Sequence, residues 1–253
     1  MVSKAGDGFM KKLWGCMRAE WVKMRHTFLY PLHLAAPVAG SALFLLYYRA
    51  AGHSGAAQIA GFIQVIGIAL PFAVSIVCAG NVGREEQTRF LVFPGSTAGR
   101  WHAFLAKYLV LLALGAFAVS AAVFLFAAGY HGIFGKEGVS GVSCAGLSLV
   151  LWLGSAPLYL EHLFLNLAFE KQVSLCVGVA QFLLSALFLT GLGDGRWQLV
   201  PCTWSARGAS LFLAGGFQNE TAPVFAVCLL LWLFLCVIIG VWFYFYEGRQ
   251  CND

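Results

Sequence analysis

Six windows of the chain, residues 26–48, 50–83, 108–135, 138–160, 172–193 and 221–246, contain no Asp, Glu, Lys or Arg, and each is at least 22 residues long. A helix needs about 20 mostly apolar residues to cross the hydrocarbon of a bilayer, and its backbone polar groups must be satisfied within the segment. The pattern therefore predicts an all-α membrane protein with six transmembrane helices, near 28–49, 57–81, 104–130, 141–166, 172–193 and 222–246. Gly55, Gly129, Gly132 and Gly138 mark span ends, while Pro37, Pro71 and Pro157 fall inside spans, where neighbouring helices can satisfy the freed carbonyls.

Before the first window, Phe9, Leu13, Met17, Trp21, Met24 and Phe28 recur at helical steps, with Lys11, Lys12, Arg18 and Arg25 on other faces. Residues 8–25 are either an interfacial amphipathic helix or a helical extension of the first span, since Pro31 permits a bend without requiring one. Between spans two and three, residues 83–100 place Glu85 and Arg89 four apart. Phe90 and Phe93 offer apolar contacts before Pro94 and Gly95 stop the helix. This segment is either a docking element for another protein or a solvated connector. The apolar pattern of span four runs past Glu161 and His162 to Phe169, so Glu161 is either an intramembrane carboxylate or the point at which the helix emerges into water. Residues 194–220 contain Trp197, Trp204 and an apolar patch, 211–214, too short to cross a bilayer. They suit a re-entrant or a surface-lying element, with the tryptophans as interfacial anchors.

Composition changes this picture little. Of 253 residues, 60% are apolar, against 16 Lys or Arg and 11 Asp or Glu, too little charge to solvate a globular surface of this size. The net charge of +5 does not point to nucleic acid, because the cations sit in short clusters between apolar runs rather than in a stripe on a soluble face. They set topology instead. Lys4, Lys11, Lys12, Arg18, Lys23, Arg25, Arg84, Arg89, Arg100, Lys107, Lys171 and Arg249 fall on one side, and Arg49, Lys136, Arg196 and Arg207 on the other. The heavier side is expected to be cytoplasmic, with both termini there. The apolar stretch near the N-terminus is too long for a cleaved signal peptide and lacks a small-residue cleavage site.

Of the eight cysteines, Cys78, Cys176, Cys228 and Cys236 lie in apolar runs and are expected to be small buried residues; only Cys144 and Cys202 share a side on which pairing is open to them. No Cys/His spacing suggests a metal. Glu85 and Glu86 followed by Arg89, with His162 and Asn166 four apart, bring to mind the membrane-embedded prenyl-protein peptidases, but two residues separate Glu86 from Arg89 where that motif has three. No GxxxxGK[ST] occurs, so no cofactor is expected on this chain and any energy input must come from a partner. Six helices are few for a gated path wide enough for a peptide, which suggests a second membrane subunit.

Three segments carry a family resemblance. AEWVKMRHTFLYPLHLAAPVAGSALFLLYY (19–48) looks like the opening of the ABC-2 type permeases of lantibiotic-immunity transporters. EEQTRFLVFPGSTAGRWHAFLAK (85–107) is similar to their loop after span two, and LSALFLTGLGDGRWQLVPCTWSAR (184–207) resembles the end of their span five, with Gly191, Gly193, Asp194, Trp197, Pro201, Trp204 and Arg207 in order. The resemblance implies an ABC-2 type, type V exporter-like transmembrane domain with an N-terminal amphipathic connecting helix, in a bacterial cytoplasmic membrane. It also implies two copies of an ATP-binding subunit that carry ATP and Mg, a second related six-helix permease, a lantibiotic-type peptide as substrate and contact with membrane lipid. On this resemblance Glu85, Glu86, Arg89 and Phe90 would dock in a groove of the ATPase. For a cationic peptide, Asp194, Trp197 and Trp204 are the best local substrate candidates, with Glu161 as a further substrate or gate residue; Asp194 alternatively caps the short helix after it.

Overall fold

The computed structural model describes residues 2–25, 27–53, 55–86, 99–135, 140–215 and 222–246, and every regular element among them is helical. The α-helices are α1 (Val2–Arg25), α2 (Leu29–Ala50), α3 (Ala56–Glu86), α4 (Arg100–Phe134), α5 (Gly141–Ala168), α6 (Lys171–Phe188), α7 (Trp204–Leu213) and α8 (Ala222–Tyr244). Three short 3-10 turns, Gly191–Gly193, Trp197–Leu199 and Pro201–Thr203, lie between α6 and α7. Six helices, α2 to α6 and α8, are long and apolar enough to cross a membrane. The chain is a multi-pass membrane protein.

Local chemistry sets several boundaries. Ser140 caps α5 by accepting from Ser143 N at 3.2 Å, and Gly135, with φ 62°, closes α4 in the left-handed conformation that glycine adopts without strain. Pro31 falls in the first turn of α2, where its missing N–H costs nothing. α1 ends at Arg25 and is a separate helix from α2; Thr27 Oγ1 donates to Met24 O at 2.7 Å between them. α1 packs mainly along α4, and its apolar stripe is divided: Leu13 and Met24 are buried, whereas Phe9 and Trp21 face outward with Met10, Trp14 and Val22.

The spans run alternately up and down, and two buried clusters fill opposite ends of the bundle. One joins Met24 of α1 and Leu29 of α2 to Val82 near the end of α3, Phe104 near the start of α4, Leu163 of α5 and Phe243 near the end of α8. The other joins Leu45 of α2, Phe62 of α3, Phe126 of α4, Leu147 of α5 and Ala209 of α7. Phe104 stacks on Phe243, and Arg100 Nη1 donates to Tyr246 O at 3.0 Å, which ties the end of α8 to the start of α4. α1 and the last turn of α8 thus share one end, called here the α1 end.

Residues 191–213 fold back against the spanning helices. α7 lies between α3 and α5, and a Cβ at Gly67 would stand 2.6 Å from Ala206 Cα while one at Gly154 would stand 2.7 Å from Ser205 N. Only glycine permits backbones so close. At 1.5 Å per residue, Gly67 and Gly154 lie roughly 17 and 20 Å along α3 and α5 from the ends away from α1, about the middle of a bilayer. α7 therefore starts near mid-depth and returns to the far end, where Phe212 covers Gly146.

Candidate functional site

At the α1 end, two carboxylates and two ammonium groups from three helices share one buried cluster. Lys107 Nζ of α4 is 2.9 Å from Glu20 Oε2 of α1, 3.1 Å from Glu85 Oε1 of α3 and 2.7 Å from Asn81 Oδ1 of α3. Lys23 of α1 reaches Glu20 Oε1 at 2.8 Å and Glu85 Oε1 at 3.3 Å. Arg84 donates to the backbone oxygen of Lys23. Only Lys23 is appreciably exposed; Glu20, Glu85 and Lys107 are buried. Burial alone would raise the Glu20 carboxyl, but Lys107 and Lys23 outweigh it and hold it below its ordinary value; burial would lower the Lys23 ammonium, but Glu20 and Glu85 hold it above. Removing one member of such a set leaves an uncompensated buried charge.

This arrangement changes the role expected for Glu85. Its side chain points into the bundle, spent on Lys107 and Lys23, and offers no surface for another protein. The other residues expected at that docking surface, Arg89, Phe90 and the side chain of Glu86, lie outside the described residues. In the sequence Lys23 and Lys107 count as topology charges, and no motif there assigns a task to Glu20 or Asn81. A signal was present: Glu20 falls on the same helical stripe as Leu13, Met17 and Met24, the inward face of α1, where a lone carboxylate needs a partner.

A second polar group joins α5 to α6. Gln181 Nε2 donates to Glu161 Oε1 at 2.8 Å, so the Gln181 oxygen is an acceptor and His162 Nε2 donates to it at 3.0 Å. His162 Nδ1 then accepts from the Ser174 hydroxyl at 2.9 Å, and Ser174 Oγ accepts from Asn166 Nδ2 at 2.8 Å. For a neutral imidazole this order of donors corresponds to the tautomer protonated on Nε2. Glu161 lies about 10 Å along α5 from its end at Ala168. The Pro201–Thr203 turn packs against both α5 and α6. The His162 and Asn166 pair, noted from spacing alone, is thus an interhelical tie, and no group of three metal-ligating side chains occurs among the described residues.

The far end separates the remaining candidates. Asp194 caps no following helix; its carboxylate accepts from Arg207 Nη2 at 2.9 Å. Arg207 also donates to Phe188 O through Nε and to Thr190 O through Nη2, both at 2.6 Å, which satisfies the last carbonyls of α6 and ends that helix five residues before its charge-free window does. Trp197 and Trp204 are buried rather than displayed at an interface, packed with Cys228 of α8. They form part of the wall of a cavity of about 320 Å³ between α5, α7 and α8. Asp194 does not line it, and neither does Glu161. Cys144 and Cys202 are both free.

Compared with known proteins, the chain matches no family model and no curated protein.

Proposed function

We propose that the chain is a permease subunit of an ABC-type exporter that expels lantibiotic-type peptides from a bacterial cytoplasmic membrane, driven by ATP-binding subunits encoded separately. The observation that carries this reading is the buried cluster of Glu20, Lys23, Glu85 and Lys107, because it encloses the two ends of one loop. Residues 87–99 leave α3 directly after Glu85 and Glu86 and enter α4 two turns before Lys107. Lys107 and Lys23 bind those two helix ends to α1. A force applied to the loop then moves α1, α3 and α4 together, which is what a subunit driven by a partner on that side requires.

In this reading Glu86, Arg89 and Phe90 meet the ATPase, Glu85 transmits their displacement from within, and ATP and Mg reside in the partner. The twelve cations on the α1 side mark the cytoplasmic face. A second, related permease completes the path. The α7 segment is packed inside the span bundle between α3 and α5. The segments 19–48, 85–107 and 184–207 supply the family resemblance on which the substrate class rests.

The test is resistance. A sensitive bacterium expressing the chain with its neighbouring genes is expected to grow in a nisin-like peptide when the ATPase is active and to lose that protection when the ATPase lacks its catalytic Glu. Equal growth in the two strains excludes ATP-driven export. Reversing the charges of Glu86 and Arg89 is expected to abolish both ATPase co-purification and resistance; retention of both would remove the docking role from residues 87–99.

A further inference from the structure

The cavity between α5, α7 and α8 opens sideways. Leu149 and Leu153 of α5 and Leu229 of α8 line it while remaining about half exposed, at 51%, 45% and 51%. All three lie on membrane-spanning helices. Its walls offer carbon: Trp204 Nε1 is engaged by Gln198 O at 3.0 Å, and Cys228 Sγ donates to that same oxygen at 3.8 Å. An apolar cavity of about 150 Å³ stays dry and takes up benzene, so one roughly twice that size in contact with a bilayer fills with hydrocarbon rather than water.

The neighbouring surface distinguishes a lipid chain from a protein helix. Helices associate in membranes through small residues that let backbones approach. The outward face of α8 carries Leu229, Leu230, Leu233, Phe234, Val237 and Val241, all large and exposed, with α8 the least buried of the six spans. That face is built for lipid, and the cavity mouth is continuous with it. Gly154 at the cavity lies roughly 20 Å along α5 and Leu149 roughly 12 Å, so the space runs from the upper hydrocarbon to mid-depth. Arg196, exposed immediately before Trp197, places a cation beside the cavity wall.

We propose that this cavity binds one acyl chain of a phospholipid from the leaflet away from α1, held against Trp197, Trp204 and Trp232. The chain braces α8 and the inserted α7 against α5, whose direct packing on α8 is slight. This site goes beyond the transport reading and stands without it.

The test takes the full-length chain from nanodiscs of palmitoyl-oleoyl phosphatidylglycerol into the mass spectrometer as an intact ion. The wild-type ion is expected to keep one phospholipid at an activation energy that strips the rest. Leu149→Trp and Leu153→Trp, which put an indole in the mouth, are expected to lower the retained fraction about tenfold. Leu230→Trp, on the outward face of α8 and outside the cavity wall, is expected to leave it unchanged. Wild-type ions bare of lipid overturn the proposal without recourse to any variant, as does equal retention in all three variants. A wild-type ion carrying a second copy of the chain that Leu149→Trp releases also overturns it, since the cavity is then a site for a helix.

Discussion

Lys107 Nζ lies 2.9 Å from Glu20 Oε2, so an ammonium inside a membrane-spanning helix is neutralised by a carboxylate from a separate helix packed alongside. Glu85 stands on its other side at 3.1 Å, and the two pairs make the position of α1 depend on both ends of the 87–99 loop. Desolvated charges are costly, and this set is tolerated because each carboxylate has two cationic partners.

Lys107→Met removes the buried one of the two cations that Glu20 and Glu85 share and leaves both carboxylates to the partly exposed Lys23. A loss of about 3–5 kcal/mol is expected, read as a lowered melting temperature of the purified chain in detergent. Adding Glu20→Gln and Glu85→Gln is expected to recover part of the loss. A single variant that melts with the wild type shows that the cluster carries no stability.

The pH dependence follows from the two shifted groups. Glu20 is held below its ordinary 4.5, so its contribution is full above that value and is lost as pH falls through the lower folded value. Lys23 is held above its ordinary 10.5, so its smaller, partly exposed contribution is full below that value and is lost as pH rises through the higher one. Melting is expected to be flat between these limits as far as these two groups are concerned. Glu20→Gln is expected to flatten the acid limb; an unchanged limb assigns it to other carboxylates.

Gly67→Leu and Gly154→Leu drive side chains into the backbone of α7 from opposite sides. Each is expected to cost about 1–3 kcal/mol or to expel α7 from the bundle. Protection of the Ser205 and Ala206 amides in hydrogen exchange is the measurement, with Gly132→Leu, which meets no neighbour within 4 Å, as the control.

Ser174→Ala breaks the tie between α5 and α6 at its middle. His162 Nδ1 loses its donor and Asn166 Nδ2 loses an acceptor, both buried, for a cost of about 1–3 kcal/mol. Faster hydrogen exchange in the first turns of α6 is expected, and Ser174→Thr, which retains the hydroxyl, should restore much of the protection.

Arg207→Ala removes the side-chain donor of Phe188 O and leaves Thr190 O with the Gly193 N–H alone, and is expected to fray the end of α6, whereas Asp194→Ala, at a carboxylate 70% exposed, is expected to cost under about 1 kcal/mol. Equal melting shifts would mean that the ion pair, rather than the carbonyl contacts, holds the turn.

By itself the sequence determined the spanning helices, because burial in hydrocarbon acts on every residue of a window and leaves a signal of composition that needs no knowledge of neighbours. The windows around α2 to α6 and α8 were legible for that reason. Glu85 was legible only as a charge near a span end; that it faces Lys107 depended on the rotation of α3 against α4. Glu20 had its clue in the period of α1, but its partner lies 87 residues away. Trp197 and Trp204 looked like interfacial anchors until Gly67 and Gly154 admitted α7 between α3 and α5. Distances across helices, unlike transfer into lipid, are fixed by packing of segments remote in the chain, and that only the tertiary structure decided.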